Sequence, residues 1–370
     1  MVLFDRTSIG IVAVLATLSA GAVPAADKVP HYDHVFVIIM ENRGHDQIMS
    51  HANWTPQIHQ LAAEYGQASQ FYGEVHSSEG NYIAMLGGDT FGIHDDDPFF
   101  CKPGPSSKFC GKADKPNYPD HNLTARSLMD QLADKGLTWK AYMEDIPSPG
   151  SLVPRWPTSD YPVKDTPNEL YAAKHNGFVS FKNVNQEPYP KLAEHLVGFR
   201  QLDADLAANQ LPNYAHIVPN QCNDMHGRGK GNASAAWADC SDDEGLMRRG
   251  DAEIGMLVDK ITNSEVWREP GNTAIVVTFD ENNKEERGTG PQGCCGYDPN
   301  SLANFGGGHI VTLVITNHGP RHLVAPTPYN HYSLLRTTEA VFGIDEYLGH
   351  AADTNKGVVT MTPLFAVGGK

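Results

Sequence analysis

The sequence predicts an α/β fold, a central mostly parallel sheet flanked by helices. Two observations carry this. Apolar runs rich in β-branched residues alternate along the chain with helical patterns. The strongest runs are also apolar at every position, as strands buried on both faces require.

Val35-Phe36-Val37-Ile38-Ile39-Met40 is the first such run. Thr55 with Pro56 then marks a helix start, the cap followed by proline at the first helical position. A strand is expected around Ser69 to Val75, and a helix from about Glu79 to Leu86 that stops at Gly87-Gly88. Phe91 to Asn122, rich in Asp, Pro, Gly and Lys, reads as a long loop. Ser127 to Lys135 reads as helix and Thr138 to Met143 as strand, followed by a Pro-rich excursion from Pro147 to Lys174. Helix is expected over Leu192 to Leu211, strand over Tyr214 to Val218, and an amphipathic helix over Glu244 to Ile261. Thr273 to Phe279 and Ile310 to Thr316 are two more buried strands, and Ser333 to Phe342 is the last helix.

The chain has 370 residues, 40% of them hydrophobic and 19% charged, an ordinary globular composition. With no internal repeat and no low-complexity linker, one domain is expected over residues 26–370. The formal charge of −16 argues against non-specific binding to nucleic acid or anionic lipid. It also means that a phosphate substrate needs a local positive centre: a metal, a basic side chain or a helix N-terminus. Ile9 to Ala22 has the length of a signal-peptide core, and Val23-Pro24-Ala25 suits cleavage. Residues 1–25 therefore read as a signal peptide, and the mature protein as secreted or periplasmic. The run is shorter than the roughly 20 residues that span a bilayer, and no other run of that length follows, so stable membrane insertion is not expected.

The six cysteines, an even number in an exported chain, favour disulfides over a zinc cluster. Cys101 and Cys110 flank one loop and are expected to pair, while the partners of Cys222, Cys240, Cys294 and Cys295 stay open. Sequons stand at Asn53, Asn122 and Asn232.

The chemistry is signalled by position. Glu41-Asn42 follows the first buried strand, Asp280-Glu281-Asn282 follows the Thr273 strand, and Asn223-Asp224-Met225-His226 lies just beyond the Tyr214 strand. Ligands of open parallel sheets bind outside the carboxyl ends of the strands, so these clusters can converge. A lone acidic cluster of this kind is more often a solvated turn or cap; several in one sheet are not. Converging carboxylates repel unless a cation lies between them, which points to a divalent metal ion, with Ca, Mg, Mn and Zn all open. His226 is a candidate to add nitrogen, as is His309 after Gly306-Gly307-Gly308; either could equally be a hydrogen-bonded structural histidine. His76-Ser77-Ser78-Glu79-Gly80-Asn81-Tyr82 joins a strand to a helix. A hydroxyl there lies at a helix N-terminus, where an anion is favoured, although serine at such a junction is also the common N-cap.

Taken in order, Glu-Asn after the first strand, His-x-Ser-x-x-Asn-Tyr, Pro-Asn-x-x-x-Asp-x-His and Asp-Glu-Asn resemble the bacterial phosphoesterase family of the alkaline phosphatase superfamily. That family holds phospholipase C enzymes and secreted acid phosphatases. The stretch from Tyr329 to Glu339 is similar to its closing motif, and the likeness runs from about His34 to Ile344. The resemblance implies a hydroxyl nucleophile that takes the phosphoryl group before water releases it. It makes Glu41, Asn42, Asp280 and Glu281 metal ligands. It sets Asp224 and His226 on a second metal or on the phosphate. It selects Ser78 as nucleophile, three residues before Asn81, with Ser77 as competitor. Asn81 would contact a phosphate oxygen, His76 would assist proton transfer, and His309 and His331 would help to bind substrate. The chain departs from the usual Asn-x-Ser-Phe-Asp at Gly44 and His45, and carries Ser77 and Gly80 where the nucleophile motif has prolines.

The expected function is hydrolysis of phosphate monoesters, of small molecules or lipid headgroups, because the added C-terminal domains of the family's phospholipases are missing. A phospholipase C-like diesterase is the alternative, and a non-catalytic exported binding protein is the reading from another class. A sulfatase is disfavoured, since no Cys-x-Pro/Ala-x-Arg motif is present.

Overall fold

In the computed structural model the described residues are 28–107, 109–157, 169–227, 240–283, 286, 288, 290–301 and 306–367. The signal peptide and the Asn232 sequon lie outside them.

The strands are β1 (His34–Met40), β2 (Gly66–Tyr72), β3 (Trp139–Met143), β4 (Arg155–Trp156), β5 (Tyr171–Ala172), β6 (Leu196–Val197), β7 (Tyr214–Val218), β8 (Thr273–Phe279), β9 (His309–Thr316), β10 (Leu323–Ala325) and β11 (Tyr329–Asn330). Nine form one sheet in the order β10-β2-β9-β8-β1-β7-β3-β6, with β11 also on β2. β4 and β5 make a separate ribbon. Strands β8, β1, β7, β3 and β6 are parallel neighbours. β9 runs antiparallel to both β8 and β2. The fold is thus the mostly parallel, helix-flanked sheet expected. β1, β7 and β8 fall where the apolar runs put them, and every residue of β7 and β8 is buried.

The helices are α1 (His45–Met49), α2 (Pro56–Glu64), α3 (Ser78–Gly87), α4 (Leu128–Asp134), α5 (Lys182–Asn185), α6 (Lys191–His195), α7 (Phe199–Ala208), α8 (Asp243–Thr262), α9 (Glu265–Arg268), α10 (His331–Val341) and α11 (Thr362–Phe365). α3 packs on α10 and α2 on α8. α3 ends at Gly88, whose φ of 72° is the left-handed stop that glycine supplies.

Three local expectations change. Leu192 to Leu211 is not one helix. Leu196-Val197 leaves α6 to pair with Ala141-Tyr142 as an edge strand, and Gly198, extended, starts α7. β2 begins and ends earlier than Ser69–Val75, and the amides of Glu74 and Val75 go to Asn81 Oδ1 instead of a strand partner. Thr55 is the N-cap residue of α2, but its hydroxyl donates backwards to Ile48 O and His51 O. The first amides of the helix are taken instead by Asp251 of α8, from Gln57 N (3.0 Å) and Ile58 N (2.8 Å).

Cys101 pairs with Cys110 as expected, and Cys222–Cys240 and Cys294–Cys295 complete the disulfides. Among the described residues, no helix is long and apolar enough to cross a membrane.

Candidate active site

The parallel strands point their carboxyl ends to one edge. There β1 delivers Glu41, β8 delivers Asp280-Glu281, β3 delivers Glu144, and the chain beyond β2 leads to His76 and Ser78. The turn after β7 is built by Asn220. Its Oδ1 accepts from Cys222 N (2.9 Å) and Asn223 N (3.0 Å), and its carbonyl accepts from Asp224 N (2.8 Å). Glu41 N donates to Asp224 O (2.8 Å), so this turn is locked to the end of β1.

Ser78 is the first residue of α3, and Ser77, the competitor, is the N-cap outside it. The Ser78 hydroxyl donates to Glu41 Oε1 at 2.7 Å and stands 3.5 Å from Glu281 Oε1. Tyr82, one turn on, donates its hydroxyl to Glu41 Oε2 (3.4 Å). Asp280 Oδ1 accepts from Asn42 N (3.1 Å). Glu41, Asp280 and Glu281, all fully or almost fully buried, offer oxygens within 4.8 Å of one another. Burial and then mutual repulsion push the Asp280 carboxyl well above its ordinary range, and burial also raises Glu41. Asp224 is raised by burial and by Glu41.

His76 Nδ1 faces Glu281 Oε2. His226 is fixed by its ring, Nδ1 donating to Gly227 O (2.8 Å), and by its amide, which donates to Asp224 Oδ1 (2.7 Å). Burial and the nearby Lys174 lower its pKa to about 3, so its ring is neutral.

The structure adds residues that the sequence did not single out. His175 lies between Glu41 Oε2 and Asp224 Oδ2, 3.2 Å from each. Burial and then Lys174 hold its pKa far below normal. A neutral imidazole has one N–H, so His175 can donate to only one of these two carboxyl groups and offers the other a lone pair. Glu41, His175 and His226 form a second group of possible ligands. Lys174 Nζ lies 3.2 Å from His226 Nε2 and 3.4 Å from Asp96 Oδ2. Burial alone would lower its pKa, but Asp96, Glu41, Glu169 and Glu281 together raise it, so the amine stays charged. Lys174 and His175 end the Pro-rich excursion, where no periodicity or motif marks them.

Other expected residues stand elsewhere. Asn81 does not present its amide to a ligand. Its Oδ1 accepts from Glu74 N (2.8 Å) and Val75 N (3.1 Å) and its Nδ2 donates to Val75 O (2.9 Å), so it shapes the loop before the nucleophile. His331 Nε2 donates to Asp280 O (2.7 Å), supporting the floor of the site from behind. His309 starts β9 and groups with His45 and Asp46. The glycines before it do approach another backbone closely: a Cβ on Gly307 would lie 2.8 Å from the Gly73 carbonyl carbon.

The residues fit a divalent cation. Asp280 Oδ2 is buried with no donor, and three carboxyl groups face one another beside Ser78. Glu41, Asp280 and Glu281 supply hard oxygen donors.

The sheet is alkaline phosphatase-like, and the family and relatives that the chain matches make it a phosphoric ester hydrolase. The sequence model of the Phosphoesterase family matches residues 51–345, and the chain belongs to that family. It is 27% identical over 345 residues to a phosphatidylinositol-3-phosphatase of Mycobacterium tuberculosis, covering 91% of this chain and 87% of that one. It is 25% identical over 327 residues to a probable acid phosphatase of Kluyveromyces lactis, covering 88% of this chain and 61% of that one. With an acid phosphatase of Aspergillus fumigatus it shares 27% over 195 residues, 53% of this chain and 37% of that one. It thus spans less than two thirds of either fungal relative. The fold is shared with an alkaline phosphatase superfamily protein of Vibrio parahaemolyticus, at TM-score 0.50 and 12% identity over 86% of this chain and 68% of that one. It is also shared with a sulfatase of Pseudoalteromonas sp., at 0.53 and 13% over 92% and 73%.

Proposed function

We propose that the chain is an exported phosphomonoesterase, acid phosphatase-like, with Ser78 as nucleophile and a divalent metal held by Glu41, Asp280 and Glu281 beside Asn42. The observation that carries this is the buried Ser78 hydroxyl, 2.7 Å from Glu41 and at the first residue of α3. When bound, the metal supplies charge that favours the serine alkoxide and the phosphoryl oxygens.

The chain's own residues do the rest. Ser78 Oγ attacks phosphorus as its proton passes to Glu41 Oε1, which already accepts it in a 2.7 Å hydrogen bond. The amino end of α3 and the Lys174 ammonium face the anion. The bond to the leaving oxygen breaks, and that oxygen takes a proton relayed by His76. Water then attacks the phosphoserine and gives a proton back to His76, the Ser78 Oγ–P bond breaks to release phosphate, and Glu41 returns its proton to Ser78 Oγ. His175 and His226 order Glu41, Asp224 and Lys174 around the phosphate. Asn81 and His331 act as positioning residues. The substrates are monoesters of small molecules or of lipid headgroups; the mycobacterial relative, by its name, acts on a phosphorylated lipid.

The test is turnover of a phosphomonoester and of a phosphocholine diester by the mature protein, with and without chelator, beside Ser78→Ala. Chelator-sensitive monoester turnover, lost in the variant, is expected. Diester turnover in its place would move the chain to the phospholipase C side. Full activity in Ser78→Ala would remove the nucleophile assignment and point to Ser77.

A further inference from the structure

The departures from the family's usual Asn-x-Ser-Phe-Asp pattern converge on one place. His45, where that pattern has phenylalanine, stacks its ring on His309, with centroids 4.1 Å apart and planes 17° from parallel. Gly44, where it has serine, has no Cβ, and one built there would lie 1.6 Å from Glu286 Oε2. The glycine therefore makes room for the Glu286 carboxylate. His45, Asp46, Glu286 and His309 line a single cavity of about 70 Å³ together with Asn282, the neighbour of Glu281.

We propose that His45, Asp46 and His309 form a second metal site, selective for a divalent ion of the zinc class, at the rim of the catalytic edge. Their donor atoms lie within 4.8 Å of one another. His309 is oriented as metal-binding histidines are, with one ring nitrogen donating to a backbone carbonyl. Its Nε2 lies 3.0 Å from Ser69 O; a carbonyl only accepts, so the hydrogen is on Nε2 and the lone pair is left on Nδ1. On His45, Nδ1 stands 3.0 Å from Asp46 Oδ1, close enough for both to bind one ion; with the hydrogen on Nε2, the Nδ1 lone pair faces the site beside that carboxylate. Two imidazoles and a carboxylate suit zinc, cobalt or nickel, whereas the oxygen-only group at Ser78 suits harder ions. Glu286 adds negative charge to the same cavity, and the partly exposed His45 and His309 leave a path from solvent.

The site rests on geometry apart from the catalytic reading, and its test does not use turnover. Metal-stripped wild type, His45→Phe and Asp46→Asn are dialysed against Zn²⁺ with excess Mg²⁺, and bound zinc is measured by mass spectrometry. The Glu41–His175–His226 group is common to all three proteins and cancels. Wild type is expected to retain one more zinc per chain than His45→Phe, and Asp46→Asn to bind that zinc at least tenfold more weakly. Equal zinc content in wild type and His45→Phe, or none in wild type, overturns the proposal. If His45→Phe does not fold, Asp46→Asn decides alone, and unchanged zinc affinity in it overturns the site. Loss of phosphatase activity in wild type would count against the proposed function and leave the zinc difference readable.

Discussion

The hydroxyl of Ser78 donates a 2.7 Å hydrogen bond to Oε1 of Glu41, so the proposed nucleophile is already paired with the group proposed to take its proton. Ser78→Ala should lower kcat on a chromogenic phosphomonoester by about 10³-fold or more, the usual scale for loss of an activated nucleophile. Rapid acid quench should trap phosphate on the wild type and none on the variant.

Lys174, half-buried, is the charge that acts most strongly on Glu41, and in the proposed function it complements the second negative charge of a monoester. Lys174→Met should lower kcat/KM for a monoester by on the order of 10²-fold, and for a diester by roughly tenfold or less. Equal losses on both would reduce Lys174 to a structural counter-ion. The ratio of the two kcat/KM values is the measurement.

Asp251 takes the amides of Gln57 and Ile58 that would otherwise be left open at the start of α2. Asp251→Ala should destabilise the protein by ~1–2 kcal/mol, the cost of a lost cap. Thermal melting read beside kcat should show a lower midpoint and little change in turnover.

Glu339 lies within α10, away from the nucleophile, where burial raises its pKa from 4.5 to about 8. The folded state therefore holds a proton that the unfolded chain loses at lower pH. Its contribution is fully present below the unfolded value and is lost as pH rises toward about 8. Glu339→Gln, which can still accept from Leu348 N, should flatten this dependence. The wild-type melting midpoint should drop more than the variant's between about pH 5 and pH 8, and parallel curves would refute the assignment.

The legible parts of the fold were those with a strong one-dimensional signal. β1, β7 and β8 are continuous apolar runs, and a strand buried on both faces leaves little choice of boundary. Acids just beyond those runs were readable as site residues because strand direction fixes where they emerge. β9 was readable as a strand but not as antiparallel, since such a run looks the same in either direction. Lys174 and His175 could not be found at all: they lie on a 3-10 turn just after β5 with no motif around them and reach the site through tertiary packing. Asn81 and His331 show the opposite failure. Their positions were legible from the motifs, but not that the Asn81 amide and His331 Nε2 are spent on backbone groups.

The reversed direction of β9 has a consequence for how such a protein can change. The connection from β8 to β9 leaves and re-enters the sheet at the same end of the strands, so its first described residues, Asp280 to Asn283, and its last, Gly306 to Gly308, lie at the end that carries the site. It need not cross back beneath the sheet, as the link between parallel strands must. Residues can be gained, lost or exchanged in that connection without altering strand register. Substrate range and metal appetite can therefore drift there while the serine and its acids stay fixed.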